Sequence, residues 1–138
     1  MKKIYSNVDP ELLLLVINRK EDIELQRTDL SPPEQYLQVS TKKLSKNISF
    51  KPHKHNTLER TTDRTQEAWL LLSGKIRAKF WDIDDKIIHE TTLEKGDCAV
   101  VFYGGHGFEV LEEDTILYEF KTGPYYGTEK DKALIEGV

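Results

Sequence analysis

Apolar and polar positions alternate with a period of two along most of the chain after Tyr36. Leu37, Val39 and Thr41 alternate with Gln38, Ser40 and Lys42, the signature of a strand with one face buried. Lys46-Asn47 reads as a turn, because asparagine tolerates the left-handed backbone. Residues 48–55 read as the next strand, with Pro52 confining its end to an edge or a bend. Residues 56–66 are polar, with Leu58 the only aliphatic, and predict a loop. Residues 67–73 are apolar and close at Gly74. In the strand that follows, Ile76, Ala78 and Phe80 share one face while Lys75, Arg77 and Lys79 share the other. Asp82-Ile83-Asp84-Asp85 signals a hairpin into a strand over 86–92. Further strands follow over 98–102, 107–111 and 115–121, punctuated at Lys95-Gly96-Asp97, Gly104-Gly105 and Glu112-Glu113-Asp114. Gly123-Pro124 ends the last of them.

The first third is less regular. Residues 11–17 fit a buried strand and a short helix equally, since periodicity cannot separate the two at that length. Ser31-Pro32-Pro33 marks a connection. Seven or more short strands with turn chemistry between them predict an antiparallel sandwich or barrel. The division expected is an N-terminal extension over 1–35, a β-barrel over 36–127 and a C-terminal tail over 128–138, the tail holding at most one helical turn.

Composition narrows the class. The 138 residues are 38% hydrophobic and 32% charged, as in one soluble globular domain. Twenty Lys and Arg against 24 Asp and Glu give a net charge of -4. No basic face for counterion release is indicated, so no nucleic-acid partner is expected. The longest apolar run falls far below the roughly 20 residues of a bilayer span, so no membrane partner is expected either. Met1-Lys2-Lys3 is followed by Asp9, Pro10 and Glu11 rather than an apolar signal-peptide core. A single cysteine, Cys98, makes no internal disulfide and suits a reducing compartment; a cytoplasmic location is expected. Cys98 reads as a small core residue and His89 as a surface one.

The four histidines hold the candidate chemistry. On a strand, His53 and His55 project to one face, where two imidazoles can converge on one metal ion. Pro52-His53-Lys54-His55, Glu67 with six residues to Gly74, then Gly96-Asp97 and Gly104-Gly105-His106 resemble the paired motifs of the cupin superfamily, over roughly residues 37–123. Asn47 stands for the first glycine, eleven residues separate His55 from Glu67, Phe102 stands for proline, and Val110 occupies the asparagine position. The resemblance implies an all-β double-stranded β-helix, or jelly roll. It also implies one divalent transition metal (Fe, Mn, Ni, Zn or Co) held by His53, His55, Glu67 and His106. Glu59 is the alternative carboxylate. Glu67 is preferred because of its offset from Gly74 and because Trp69 and Leu71 share its face.

Around that centre, Arg60 and Arg64 are candidates to clamp an anion, with Glu59 and Asp63 as their competing local partners. Lys51 shares strand parity with the histidines, and Tyr103 and Phe108 flank His106 as candidate pocket walls. On the last strand Glu119 and Lys121 share a face with Leu117, and Ile116, Tyr118 and Phe120 share the other. Which of the two faces points inward stays open. The function expected is a metal-dependent enzyme acting on a small polar or anionic molecule, sugar isomerase-like or dioxygenase-like. The alternative is a non-catalytic small-ligand-binding or sensing protein. The run 12–17, without a place in a minimal barrel, suggests a strand that pairs with a second subunit in a homodimer.

Overall fold

The computed structural model describes residues 1–136. In chain order the elements are β1 (Lys2–Tyr5), β2 (Leu13–Asn18), a 3-10 turn (Lys20–Asp22), β3 (Thr28–Asp29), β4 (Ser40–Thr41), β5 (Glu67–Ser73), β6 (Lys75–Trp81), β7 (Ile87–Glu94), β8 (Cys98–Val101), β9 (Gly105–Val110), β10 (Ile116–Lys121) and α1 (Thr128–Asp131). Every strand pair is antiparallel. β1-β2-β8-β5-β10 form a five-stranded sheet, β7-β6-β9 a three-stranded sheet, and β3-β4 a short ribbon. The chain is therefore nearly all-β, and the two larger sheets do not close into a barrel. No helix among the described residues is long and apolar enough to cross a membrane.

The two larger sheets face each other across one apolar layer. Leu15, Ile17, Trp69, Leu71 and Val101 from the five-stranded sheet meet Ile76, Ala78, Phe80 and Leu93 from the three-stranded one. The alternation on β6 decides its orientation: Ile76, Ala78 and Phe80 are sealed, and Lys75, Arg77 and Lys79 sit half-buried on the outside. The chain passes from one sheet to the other between β5 and β6 through Gly74 alone. Its φ of +74° is left-handed, and a Cβ there would collide with Thr115, so this one-residue crossing requires glycine.

The run 12–17 is placed differently from expectation. Leu13–Asn18 is an interior strand, paired with β1 on one side and β8 on the other, and buried at every residue. Leu14, Leu15 and Ile17 enter the layer between the sheets. Leu13 and Val16 pack on the outer face, beneath Leu30, Leu37 and Val39. A strand covered on both faces loses its alternation, which is why the sequence reads as an unbroken apolar run. Both its edges are satisfied within the chain, so this segment is not a free pairing strand.

Two other expected strands change. Of residues 36–42 only Ser40–Thr41 pairs, with Thr28–Asp29. The neighbouring backbone groups are used in the loop instead: the Leu37 amide donates to Gln66 Oε1 at 2.8 Å, and the Leu30 amide to the Val39 carbonyl at 2.9 Å. Residues 48–55 form no strand, and every residue from 42 to 63 is exposed. Ile48 and Phe50 meet no core there, and Pro52 has no amide proton for a ladder. His89 also departs from the surface reading. Directly opposite Phe80 in the β6–β7 register, it shares the inward face and lies half-buried with its ring stacked 6.4 Å from Phe80. Burial lowers its pKa, helped by nearby Lys2 and Arg19.

The turns hold as read. Asn47 and Asp85 both adopt positive φ, and Cys98 is a buried thiol whose pKa burial pushes up to about 12. The hairpin aspartate Asp82 is buried and accepts backbone amides from Asn7 at 2.6 Å and Ile83 at 2.8 Å. Burial alone would raise its pKa; the donors from Ser6, Ile83, Asn7 and Val8 outweigh that and lower it. A carboxyl whose folded pKa lies below its unfolded value stabilises above the unfolded pKa, and that contribution fades as pH falls further. Asp82→Asn is accordingly expected to reduce stability at neutral pH while flattening the loss of stability below about pH 4. Urea titrations at stepped pH check this, and parallel wild-type and variant curves would refute it.

Candidate functional site

The sandwich is open on the side where β9 and β10 end their sheets, and four titratable side chains gather at that opening. The register explains their convergence. Lys121 lies opposite Glu67 and Glu119 opposite Trp69 in the β10–β5 pairing, so Glu119 and Lys121 share the inward face of Glu67 and Trp69. His106 stands opposite Phe80 in the β6–β9 pairing, which aims it inward from the other sheet. The face of the last strand left open by the sequence is thereby decided: Glu119 and Lys121 point in, and Ile116, Tyr118 and Phe120 point out.

Glu67 is at the centre and only 4% exposed. Its Oε1 accepts the Trp69 indole N–H at 2.6 Å. Its Oε2 lies 3.2 Å from Lys121 Nζ and 3.5 Å from His106 Nε2. Lys121 also binds Glu119 at 2.8 Å. Burial opposes ionisation of Glu67, but His106, the indole N–H and the Lys121 ammonium together hold its pKa down to about 2. The Lys121 pKa is raised, first by Glu119 and then by Glu67. The site thus contains a fixed carboxylate and a fixed ammonium. The His106 ring stands edge-on to Trp69 at 5.4 Å, and its Nδ1 is buried without a hydrogen-bond partner among the described residues.

These groups line a cleft of about 790 Å³, a size that suits a small organic ligand. Trp81, Tyr103 and Phe108 form its walls, with Phe108 edge-on to Trp69 at 4.9 Å. Arg64 lies at the rim, its guanidinium 4.5 Å from the Tyr103 ring centroid. It is engaged by Asp63 through two bonds of 2.7 Å, the local pairing anticipated from its neighbour. The C-terminal residues 131–135 also line the cleft, and the Ile135 side chain packs against Gly105. The sequence held no signal for that contribution beyond the apolar Ala133, Leu134 and Ile135 in a charged tail. Trp81 and Thr65, also in the lining, belonged to no motif.

Of the expected ligands, Glu67 and His106 meet, whereas His53 and His55 do not join them. The two histidines sit on the exposed 42–63 segment, ring centroids 5.5 Å apart, and His53 Nδ1 is 3.0 Å from the Lys51 carbonyl. Lys51, Glu59 and Arg60 lie on the same exposed segment. No group of three or more His, Cys, Asp or Glu able to hold one ion occurs among the described residues. The donor set in this arrangement is two residues, one of them already engaged by an indole and an ammonium. It does not fit the four-ligand site that the resemblance implies. Compared with known proteins, the chain matches no family model, no curated protein and no solved structure.

Proposed function

We propose that the cleft binds a small polar or anionic molecule and transfers a proton on it, with His106 as the acid–base group, Glu67 as the carboxylate that stabilises its charged form and Lys121 as a fixed cation. One observation carries this reading: the His106–Glu67 contact of 3.5 Å at the floor of the cleft. A ligand hydroxyl seated between them accepts from the Nε2–H of the charged imidazole and donates to Oε2, so one long contact becomes two short ones. The depressed pKa makes Glu67 a weak base, suited to stabilising an imidazolium rather than to taking the proton itself. Lys121 then offers a charge to an oxyanion developing beside the imidazole. That combination suits isomerisation of a hydroxy-carbonyl compound, in which one carbon loses a proton and its neighbour gains one. Arg64 holds an anionic substituent at the rim once it exchanges Asp63 for the ligand.

The antiparallel two-sheet architecture supports placing this chain with small jelly rolls of the cupin kind. The wider reading within that class is a metalloprotein in which a divalent transition metal joins Glu67 and His106. It requires the 42–63 segment to carry His53 and His55 to the opening. Non-catalytic ligand binding in the same cleft is the remaining alternative.

Proton exchange distinguishes these readings. Aldoses, ketoses and their phosphates are incubated with the protein in deuterated water, before and after anaerobic metal loading, and followed by proton NMR. Deuterium entering the carbon next to a carbonyl, lost at least about a hundredfold in His106→Gln, is the expected result without added metal. Exchange that appears only after loading and disappears in a His53→Ala/His55→Ala variant would favour the metal reading. Ligand-induced shifts with no exchange under either condition would favour pure binding.

A further inference from the structure

The ends of the sheets are not alike. β1 closes one end of the five-stranded sheet with exposed Lys2 and Lys3, and β7 closes one end of the three-stranded sheet with exposed Glu90 and Glu94. Charges of this kind deter a second chain from adding to an edge. β10 closes the other end of the larger sheet, with β5 as its one sheet neighbour among the described residues, and its charges are turned inward to Glu67. Outward it presents Ile116, Tyr118 and Phe120, which are 55%, 57% and 48% exposed. The rings of Tyr118 and Phe120 lie 5.9 Å apart. Leu72 of β5 is exposed on the same face. Leu30, Leu37 and Val39 roof the outer face over β2, β8 and the start of β5, and this apolar stripe lies beyond that roof.

An occupant has to satisfy a row of backbone N–H and C=O groups and an apolar stripe on the same six-residue strand. We propose that a second copy of this chain does so, its β10 pairing antiparallel with the first about a two-fold axis at Tyr118. An isologous contact of this sort needs only one surface that complements itself. Centring on Tyr118 sets the two tyrosines side by side and brings each Ile116 beside the partner's Phe120, an aromatic–aliphatic pairing that stabilises sheets. Centring one residue further places Glu119 opposite its own copy, a like-charge pair that destabilises. Pairing buries the facing flanks of Ile116, Tyr118 and Phe120 and the strand backbones, an area below the roughly 1,200 Å² of a standard interface, so a dimer of about micromolar affinity is expected. The interface continues the five-stranded sheet across both copies, with the two clefts at its inner face.

Sedimentation of the full chain over a micromolar concentration series tests this. The expected species has twice the 16.0 kDa chain mass. Phe120→Lys and the milder Tyr118→Ser are each expected to raise its dissociation constant at least about tenfold, with circular dichroism unchanged. Hydrogen exchange of the unaltered protein is expected to show amides of residues 116–121 gaining protection as concentration rises, a readout that needs no variant. A monomer throughout the series overturns the proposal. A dimer that survives both substitutions but is lost in Ile48→Ser/Phe50→Ser also overturns it and transfers the interface to the exposed 42–63 segment.

Discussion

Trp69→Ala is expected to destabilise the protein by about 3–5 kcal/mol, the usual cost of truncating a buried large aromatic. Trp69 is sealed between the sheets, packed against Phe80, His106 and Phe108. It also supplies the indole N–H to Glu67, so truncation opens a void and leaves a carboxylate oxygen without its donor. Trp69→Phe separates the two effects: it keeps most of the packing and loses the N–H, and a cost of about 1–3 kcal/mol is expected for the charge-assisted bond. Guanidinium unfolding of the three proteins measures both numbers. A Trp69→Ala cost near 1 kcal/mol would mean that the aromatic wall of the cleft collapses around the vacancy and is not the rigid support described.

The second large effect is an asymmetry within the ion cluster. Lys121→Met leaves Glu67, the more deeply buried partner, with only the indole and His106 to hold its charge. A loss of about 2–4 kcal/mol is expected, because an uncompensated buried charge costs more than its pair was worth. Glu67→Gln removes that buried charge and leaves an ammonium still neutralised by Glu119; about 1–2 kcal/mol is expected. The double variant should cost less than the sum of the two. A double-variant cost equal to the sum of the two would show that Lys121 and Glu67 are independent. In the proton-exchange assay Glu67→Gln should be deeply impaired although it is the more stable single variant, since an amide cannot stabilise an imidazolium as a carboxylate does.

The legible part of this molecule was local. Alternation on Lys75–Trp81 identified the buried face of that strand without help from any neighbour, and the inward setting of Glu67 followed from its sharing parity with Trp69 and Leu71. Asn47 and Asp85 marked turns because their positive φ is a property of single residues. The His-x-His pair shows the limit of local spacing: its two rings lie 5.5 Å apart, yet residues 48–55 form no strand and the pair lies away from Glu67 and His106. At Pro52 there is no amide to sustain a ladder. The C-terminal wall of the cleft was invisible, because a short tail reveals its neighbours only once the chain has folded.

By itself, the sequence determined an antiparallel all-β chain, the residues that turn it, and the inward setting of Glu67; His106 was singled out only through the resemblance to cupin motifs. Only the tertiary structure decided that the run 12–17 is an interior strand, that Glu119 and Lys121 face inward, and that His53 and His55 stay apart from the cluster. The physical reason is that periodicity states which residues share a face, whereas burial of that face depends on register with strands distant in sequence. Lys121 faces the core because it lies opposite Glu67, and no pattern within residues 115–121 contains that pairing.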